Sequence, residues 1–125
     1  MEKIATDKAP AAIGPYSQAI RAGGLVFVSG QIPLTPEGTL VKGTVAEEAR
    51  QALANLKAIL EAAGSGLDRV VQVTAYLTDI AGFEAFNRVY AEFFAEPYPA
   101  RAVIGVAELP KGVKVEVAAV ALGGA

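Results

Sequence analysis

Between residues 44 and 64 apolar side chains recur at Ala49, Ala52, Leu53, Leu56, Ile59, Leu60 and Ala63. That is the i, i+3, i+4, i+7 spacing that gathers one buried face of an α-helix. Thr44 with Glu47 three positions later predicts the capping box that starts this helix. The Thr44 hydroxyl accepts from the Glu47 amide, and Glu47 reaches back to the Thr44 N–H. Gly64 can end the helix in a left-handed conformation.

Elsewhere the period falls to two. Ser17 to Arg21, a Gly23-Gly24 turn and the run Leu25-Val26-Phe27-Val28 predict an opening hairpin. Residues Gln31 to Gly43 hold Pro33, Pro36 and Gly38 among polar positions and predict the longest surface loop. Val70 to Thr78 alternates, with Val71, Val73, Ala75 and Leu77 on one side and Gln72, Thr74, Tyr76 and Thr78 on the other, as a strand with one less apolar face does. Asp79 is placed to cap a second helix running to about Phe94, with Phe83, Phe86, Tyr90 and Phe93 inward. Pro97 and Pro99 exclude further helix. Arg101 to Ala107, a turn through Leu109-Pro110-Lys111-Gly112, and Val113 to Leu122 predict a closing hairpin.

The order is ββαβαββ, an α+β arrangement in one domain spanning residues 1–125: a single sheet with two helices packed on one face. The other face would carry Ala118, Val120 and other small apolar residues into water. Contiguous apolar area of that kind marks an assembly surface, which predicts a homo-oligomer.

Composition narrows the chemistry. The chain of 125 residues is 53% hydrophobic, enough for one core, and its formal charge of -2, with no basic run, argues against nucleic acid as a partner. It has neither Cys nor His. Thiolate and imidazole metal sites, Ser-His-Asp and Cys-His nucleophiles and the usual neutral-pH base are therefore excluded. What chemistry there is must use Arg, Lys, Tyr, Ser, Glu and Asp. No apolar leader begins the chain and no run approaches the roughly 20 apolar residues of a membrane span, so a soluble, cytoplasmic protein with no membrane partner is expected.

Four segments place polar residues among turn formers or apolar strands: Ile13 to Gln18, Val28 to Pro33, Phe83 to Tyr90 around Asn87, and Pro99 through Glu116. The last of them, extended as Tyr98-Pro99-Ala100-Arg101 through Leu109-Pro110-Lys111-Gly112-Val113-Lys114-Val115-Glu116-Val117, resembles the signature of the Rid (YjgF, endoribonuclease L-PSP-like) family. IGPYSQA, VSGQIP and FNRVYAEFF lie in that family's order and spacing, so the resemblance covers nearly the whole chain. It implies a chorismate-mutase-like homotrimer with clefts at the subunit interfaces, working without metal or organic cofactor. It also implies 2-iminobutanoate/2-iminopropanoate deaminase activity: hydrolysis of the reactive enamine and imine products of pyridoxal-phosphate enzymes to 2-keto acids and ammonia. A non-catalytic trimer that binds small keto acids or a protein partner, and a translation inhibitor or endoribonuclease, stay open as alternatives.

Arg101 opens an otherwise apolar strand, and its planar fork matches a carboxylate with two parallel hydrogen bonds. The plainer alternative is a surface ion pair with Glu108 or Glu96. Glu116, flanked by Val115 and Val117, would have its pKa raised by partial burial, which suits acid/base work on water and a departing amine. Its plainer alternative is a solvated edge carboxylate paired with Lys114 or Lys111. Tyr16 follows Gly14-Pro15, whose fixed φ presets the turn that aims the ring. The resemblance assigns catalysis to Arg101, Glu116 and Tyr16, and substrate contact to Arg101, Ser29, Gly30, Gln31, Asn87 and the backbone of Val103. Packed aromatic, ordinary turn and helix-surface amide are the plainer alternatives for Tyr16, Ser29-Gly30 and Asn87. Two departures from relatives stand out: Val103 where many have Cys, and Ala118 where a second acidic residue is frequent.

Overall fold

The computed structural model describes residues 1–123. The helix that the sequence marks most clearly, α1, spans Val45–Ala62. Its capping box is formed: Thr44 Oγ1 accepts from the Glu47 amide at 3.2 Å, and Glu47 Oε1 accepts from the Thr44 amide at 3.0 Å. Beyond its end Gly64 takes φ 76°, the left-handed stop that a glycine adopts at least cost. All seven apolar positions of the predicted face are buried.

The second helix, α2, spans Phe83–Phe93 and starts later than predicted. Asp79 does cap, but its carboxylate accepts from the Ala81 amide at 3.0 Å and closes a short 3-10 turn, Ile80–Gly82, ahead of the helix. The buried stripe is consequently Phe86, Val89 and Tyr90, with Phe94 just beyond the end. Phe83 is exposed in the first turn.

Six strands form one mixed sheet: β1 Glu2–Ile4, β2 Ala19–Ala22, β3 Leu25–Gln31, β4 Val70–Leu77, β5 Ala100–Gly105 and β6 Val115–Leu122, in the order β1-β2-β3-β6-β4-β5. The opening hairpin is β2–β3, turned by Gly23 and Gly24 at φ 59° and 79°, the paired positive angles of a type I′ turn. β1 was not anticipated; three residues, two of them charged, leave little pattern to read.

Two expectations about the strands fail. The closing hairpin does not exist: β6 inserts between β3 and β4, antiparallel to both, and β5 pairs parallel with β4 on the far edge. β6 is apolar or small on both faces apart from Glu116, so it gains most by having neighbours on both sides, whereas β5, mostly exposed, tolerates the edge. Val71 does not join the buried set either. Val70 pairs with Ala121 and Gln72 with Val120, so a bulge at Val71 shifts the phase and leaves it exposed.

Both helices pack on one face of the sheet, against Val26, Val28, Val73, Ala75, Leu77, Val115, Val117, Ala119 and Ala121. The opposite face shows Phe27 at 44%, Leu122 at 43% and Ile104 at 43% exposure, an apolar surface that solvent covers in the single chain. Among the described residues no helix is long and apolar enough to cross a membrane.

Candidate functional site

Alternation along β6 decides where Glu116 goes. Val115 and Val117 are buried against the helices, so Glu116 stands on the open face, opposite Tyr76 of β4. On the other side, β3 bulges: Val28 pairs with Ala119 and Gln31 with Val117, leaving Ser29 and Gly30 to span the step at Ala118. A Cβ on Gly30 would run into the Glu116 carboxylate, so only glycine leaves room for that group here. Ile13, Tyr16, Ser29, Gly30, Ile32, Pro110 and Glu116 line a concavity of about 360 Å³. Burial pushes the Glu116 carboxyl above the usual range. Among the described residues Glu116 pairs with neither Lys111 nor Lys114: Lys114 pairs with Glu48 at 3.5 Å, and β6 is an interior strand.

The groups around Glu116 are largely committed within the chain. Ser29 Oγ donates to the Ser17 carbonyl at 2.6 Å and the Ser29 amide donates to the Gln18 carbonyl at 2.9 Å, so this amide is not free for a ligand and the hydroxyl offers one its lone pairs. The Tyr16 hydroxyl accepts from the Ile13 amide at 3.3 Å, which leaves its own proton to donate. Gln31 shares the helix face with Val117, is buried, and donates from Nε2 to the Ser29 carbonyl at 3.1 Å. It props Ser29 from behind and does not line the Glu116 concavity.

Arg101 belongs to a different part of the surface. It sits in register with Val73, on the helix side of edge strand β5, where α2 reaches the margin of the sheet. Its guanidinium carbon lies 4.6 Å from the centre of the Tyr90 ring and 5.7 Å from that of Phe83. The Tyr90 ring is itself fixed, stacked on Phe94 at 4.4 Å and tilted against Phe86 at 5.8 Å. The ion pairs among the described residues are Arg21–Glu2, Arg50–Glu92 and Lys114–Glu48, so Arg101 meets neither Glu96 nor Glu108. With Asn87, Tyr90, Ala91, Tyr98 and Pro99 it lines a concavity of about 330 Å³. Among the described residues Asn87 Oδ1 and the Tyr90 hydroxyl are buried without a hydrogen-bond partner. The Val103 side chain packs toward the core beside Ala75, so what it can offer outward is its backbone.

The expected residues therefore fall into two groups: Tyr16, Ser29, Gly30 and Glu116 on the open face, and Asn87 with Arg101 beside α2. The chain does not bring Arg101 and Glu116 into one concavity. Sequence reasoning missed three supporting residues. Tyr90 reads as one more inward aromatic. Gln18 is buried and holds residues 6–10, accepting from the Thr6 amide at 2.7 Å and donating to the Pro10 carbonyl at 2.7 Å. Glu48, fully buried, accepts from the Lys114 amide at 2.7 Å and the Gly43 amide at 3.3 Å. A signal existed for the last two, a polar residue in an inward phase, but no residue in the sequence announces its partner. Among the described residues no cluster of acidic side chains could hold a metal ion.

The sequence profile of the endoribonuclease L-PSP family matches residues 6–123. The human 2-iminobutanoate/2-iminopropanoate deaminase is 50% identical over 122 residues, 97% of this chain and 89% of that protein. The crystal structure of RidA from the Antarctic bacterium Psychrobacter sp. PAMC 21119 superposes with a TM-score of 0.94 at 46% identity, over 98% of this chain and 99% of that one. E. coli TdcF, solved with bound serine, superposes with a TM-score of 0.92 at 43% identity, over 98% of each chain.

Proposed function

Because the chain belongs to the endoribonuclease L-PSP family, the Rid family that its motifs resemble, we propose that it hydrolyses small 2-imino acids to 2-keto acids and ammonia in clefts formed between three copies of itself. Arg101 carries this reading. It is a guanidinium with no carboxylate partner among the described residues, held by its face against Tyr90 at the wall of a concavity. An unopposed fork of N–H donors in such a place receives a carboxylate, the group every 2-imino acid carries. A relative named for imine deamination and another solved with bound serine, itself a small carboxylate, support the choice.

Glu116 supplies the second half. A water beside its carboxylate loses a proton to it and attacks the imine carbon. The carboxyl group returns this proton to the nitrogen, and a second proton then passes through it from the carbinolamine hydroxyl to the amine as the C–N bond breaks, so ammonia leaves, the keto acid remains and the carboxylate ends as it began. A raised pKa brings this exchange nearer neutral pH. The open-face concavity adds Tyr16 as a donor and Ser29 as an acceptor for water. Asn87 lies on the carboxylate side with Arg101.

Since one chain keeps the two groups apart, a neighbouring copy must supply the missing half. The exposed apolar sheet face around Phe27, Ile104 and Leu122 gives that copy its seat. Imino acids already hydrolyse in water, so one positioned acid/base group, worth about 10²–10⁴-fold, is a sufficient acceleration.

The test is the decay of 2-iminobutanoate generated in situ by a threonine dehydratase. Arg101→Ala should lose at least about 100-fold of the acceleration, and full activity would remove Arg101 from the mechanism. Calorimetry with 2-ketobutyrate separates the hydrolase from a keto-acid-binding protein: a wild type that binds without turnover would put the second in place of the first.

A further inference from the structure

The aromatic run of α2 and its end holds Phe at 83, 86, 93 and 94, and Tyr only at 90. Packing does not ask for the hydroxyl. Tyr90 is 6% exposed, its ring is stacked on Phe94 and tilted against Phe86, and phenylalanine would fill nearly the same volume. The hydroxyl is nevertheless buried without a partner among the described residues, an arrangement that is costly if nothing ever meets it. Tyr90 is one of the residues that line the concavity also containing Arg101 and Tyr98. The guanidinium rests on the face of the same ring, and stacking of this kind occupies the face of the cation, leaving its N–H edge open to an anion.

We propose that Tyr90 serves the anion site twice: its ring fixes the plane of the Arg101 guanidinium, and its hydroxyl donates a third hydrogen bond to the carboxylate that the guanidinium receives. The inference rests on Arg101 being the carboxylate clamp and adds a contact to it. The chemistry balances: a carboxylate has about four lone-pair positions, the fork takes two, and a phenol beside it takes another. Burial pushes the Tyr90 pKa up, the nearby Arg101 charge opposing in part, so at neutral pH the group keeps its proton and is a donor.

Tyr90→Phe deletes only the hydroxyl. It should weaken 2-ketobutyrate binding, measured by calorimetry, about tenfold or more, as loss of a hydrogen bond to a charged group does. KM for the imine should rise in parallel with kcat within about twofold. The melting temperature should stay or rise, because a buried orphan is removed. Tyr90→Leu, which also removes the platform, should lose more affinity than Tyr90→Phe; if it does not fold, Tyr90→Phe alone decides. Unchanged affinity in Tyr90→Phe overturns the inference while leaving Arg101 in place. So does a fall in kcat without a rise in KM, which would assign the hydroxyl to chemistry. A wild type that binds no 2-ketobutyrate overturns the reading of Arg101 and this inference with it.

Discussion

At Glu116 and Gly30 the room that one side chain occupies is left by the absence of another. The carboxylate occupies space that a methyl on Gly30 would fill, and Gly30 has no positive φ that would forbid alanine. Gly30→Ala should therefore fold with little change in melting temperature, since a half-buried side chain can swing aside, while kcat falls at least about tenfold as the carboxylate leaves its water. Glu116→Gln separates function from stability. Its pKa is raised by burial, so folded protein holds this proton to higher pH than the unfolded chain does. The sign follows: stability declines as pH rises from the ordinary carboxylate value through the raised one, and above it the full cost of the buried charge is present. Glu116→Gln should consequently lose activity by about 10²–10⁴-fold yet melt no lower than wild type at pH 7, an advantage that disappears below the unfolded carboxylate pKa. A lower melting temperature at pH 7 would mean that the charge is compensated in the assembly. Arg101 and Glu116 could be singled out from sequence because charged residues interrupt apolar strands there. Tyr90 could not, since helical periodicity is identical for Tyr and Phe and the missing partner of the hydroxyl is a property of the packed structure.

The elements themselves were legible where their signals are local. The capping box, the Gly64 stop and the Gly23-Gly24 turn each depend on residues a few positions apart, and each forms as read. Strand order was not legible. Nothing within residues 100–122 distinguishes a hairpin from two strands separated by β4, because that choice is made by competition for neighbours across the whole sheet. The bulge at Val71 was hidden for the same reason: a phase shift on β4 is fixed by its register with β6. One buried contact ties the correct topology together. Glu48 of α1 accepts from the Lys114 amide, at the entrance to β6, and from Gly43, at the end of the long loop. Glu48→Ala would strand both amides beside a cavity, costing about 3 kcal/mol in urea unfolding at fixed protein concentration, whereas Glu48→Gln, which keeps an acceptor, should cost less. Equal stability in Glu48→Ala would show that water replaces the carboxylate without loss.

Assembly is where the separated halves of the site make their sharpest demand. If the proposed trimer forms and each cleft joins Arg101 of one copy to Glu116 of the next, a chain lacking Arg101 still has a sound Glu116 to lend, and a chain lacking Glu116 still has a sound Arg101. Arg101→Ala and Glu116→Gln homotrimers should each be inactive. Unfolded together in equal amounts and refolded, they should recover activity, because every mixed trimer contains one junction where an intact Arg101 faces an intact Glu116. Random association makes about three trimers in four mixed, with one live cleft of three in each, so roughly a quarter of wild-type activity should return. A cleft built within one chain gives no recovery at any mixing ratio, since no chain in the mixture carries both groups. Val120→Asp supplies the complementary measurement. A charge placed on the open sheet face, away from both concavities, should reduce the particle mass in sedimentation to that of a single chain and abolish turnover with Arg101 and Glu116 intact. Turnover by such a monomer would show that this surface is unrelated to the chemistry and that the two halves meet by movement within the chain.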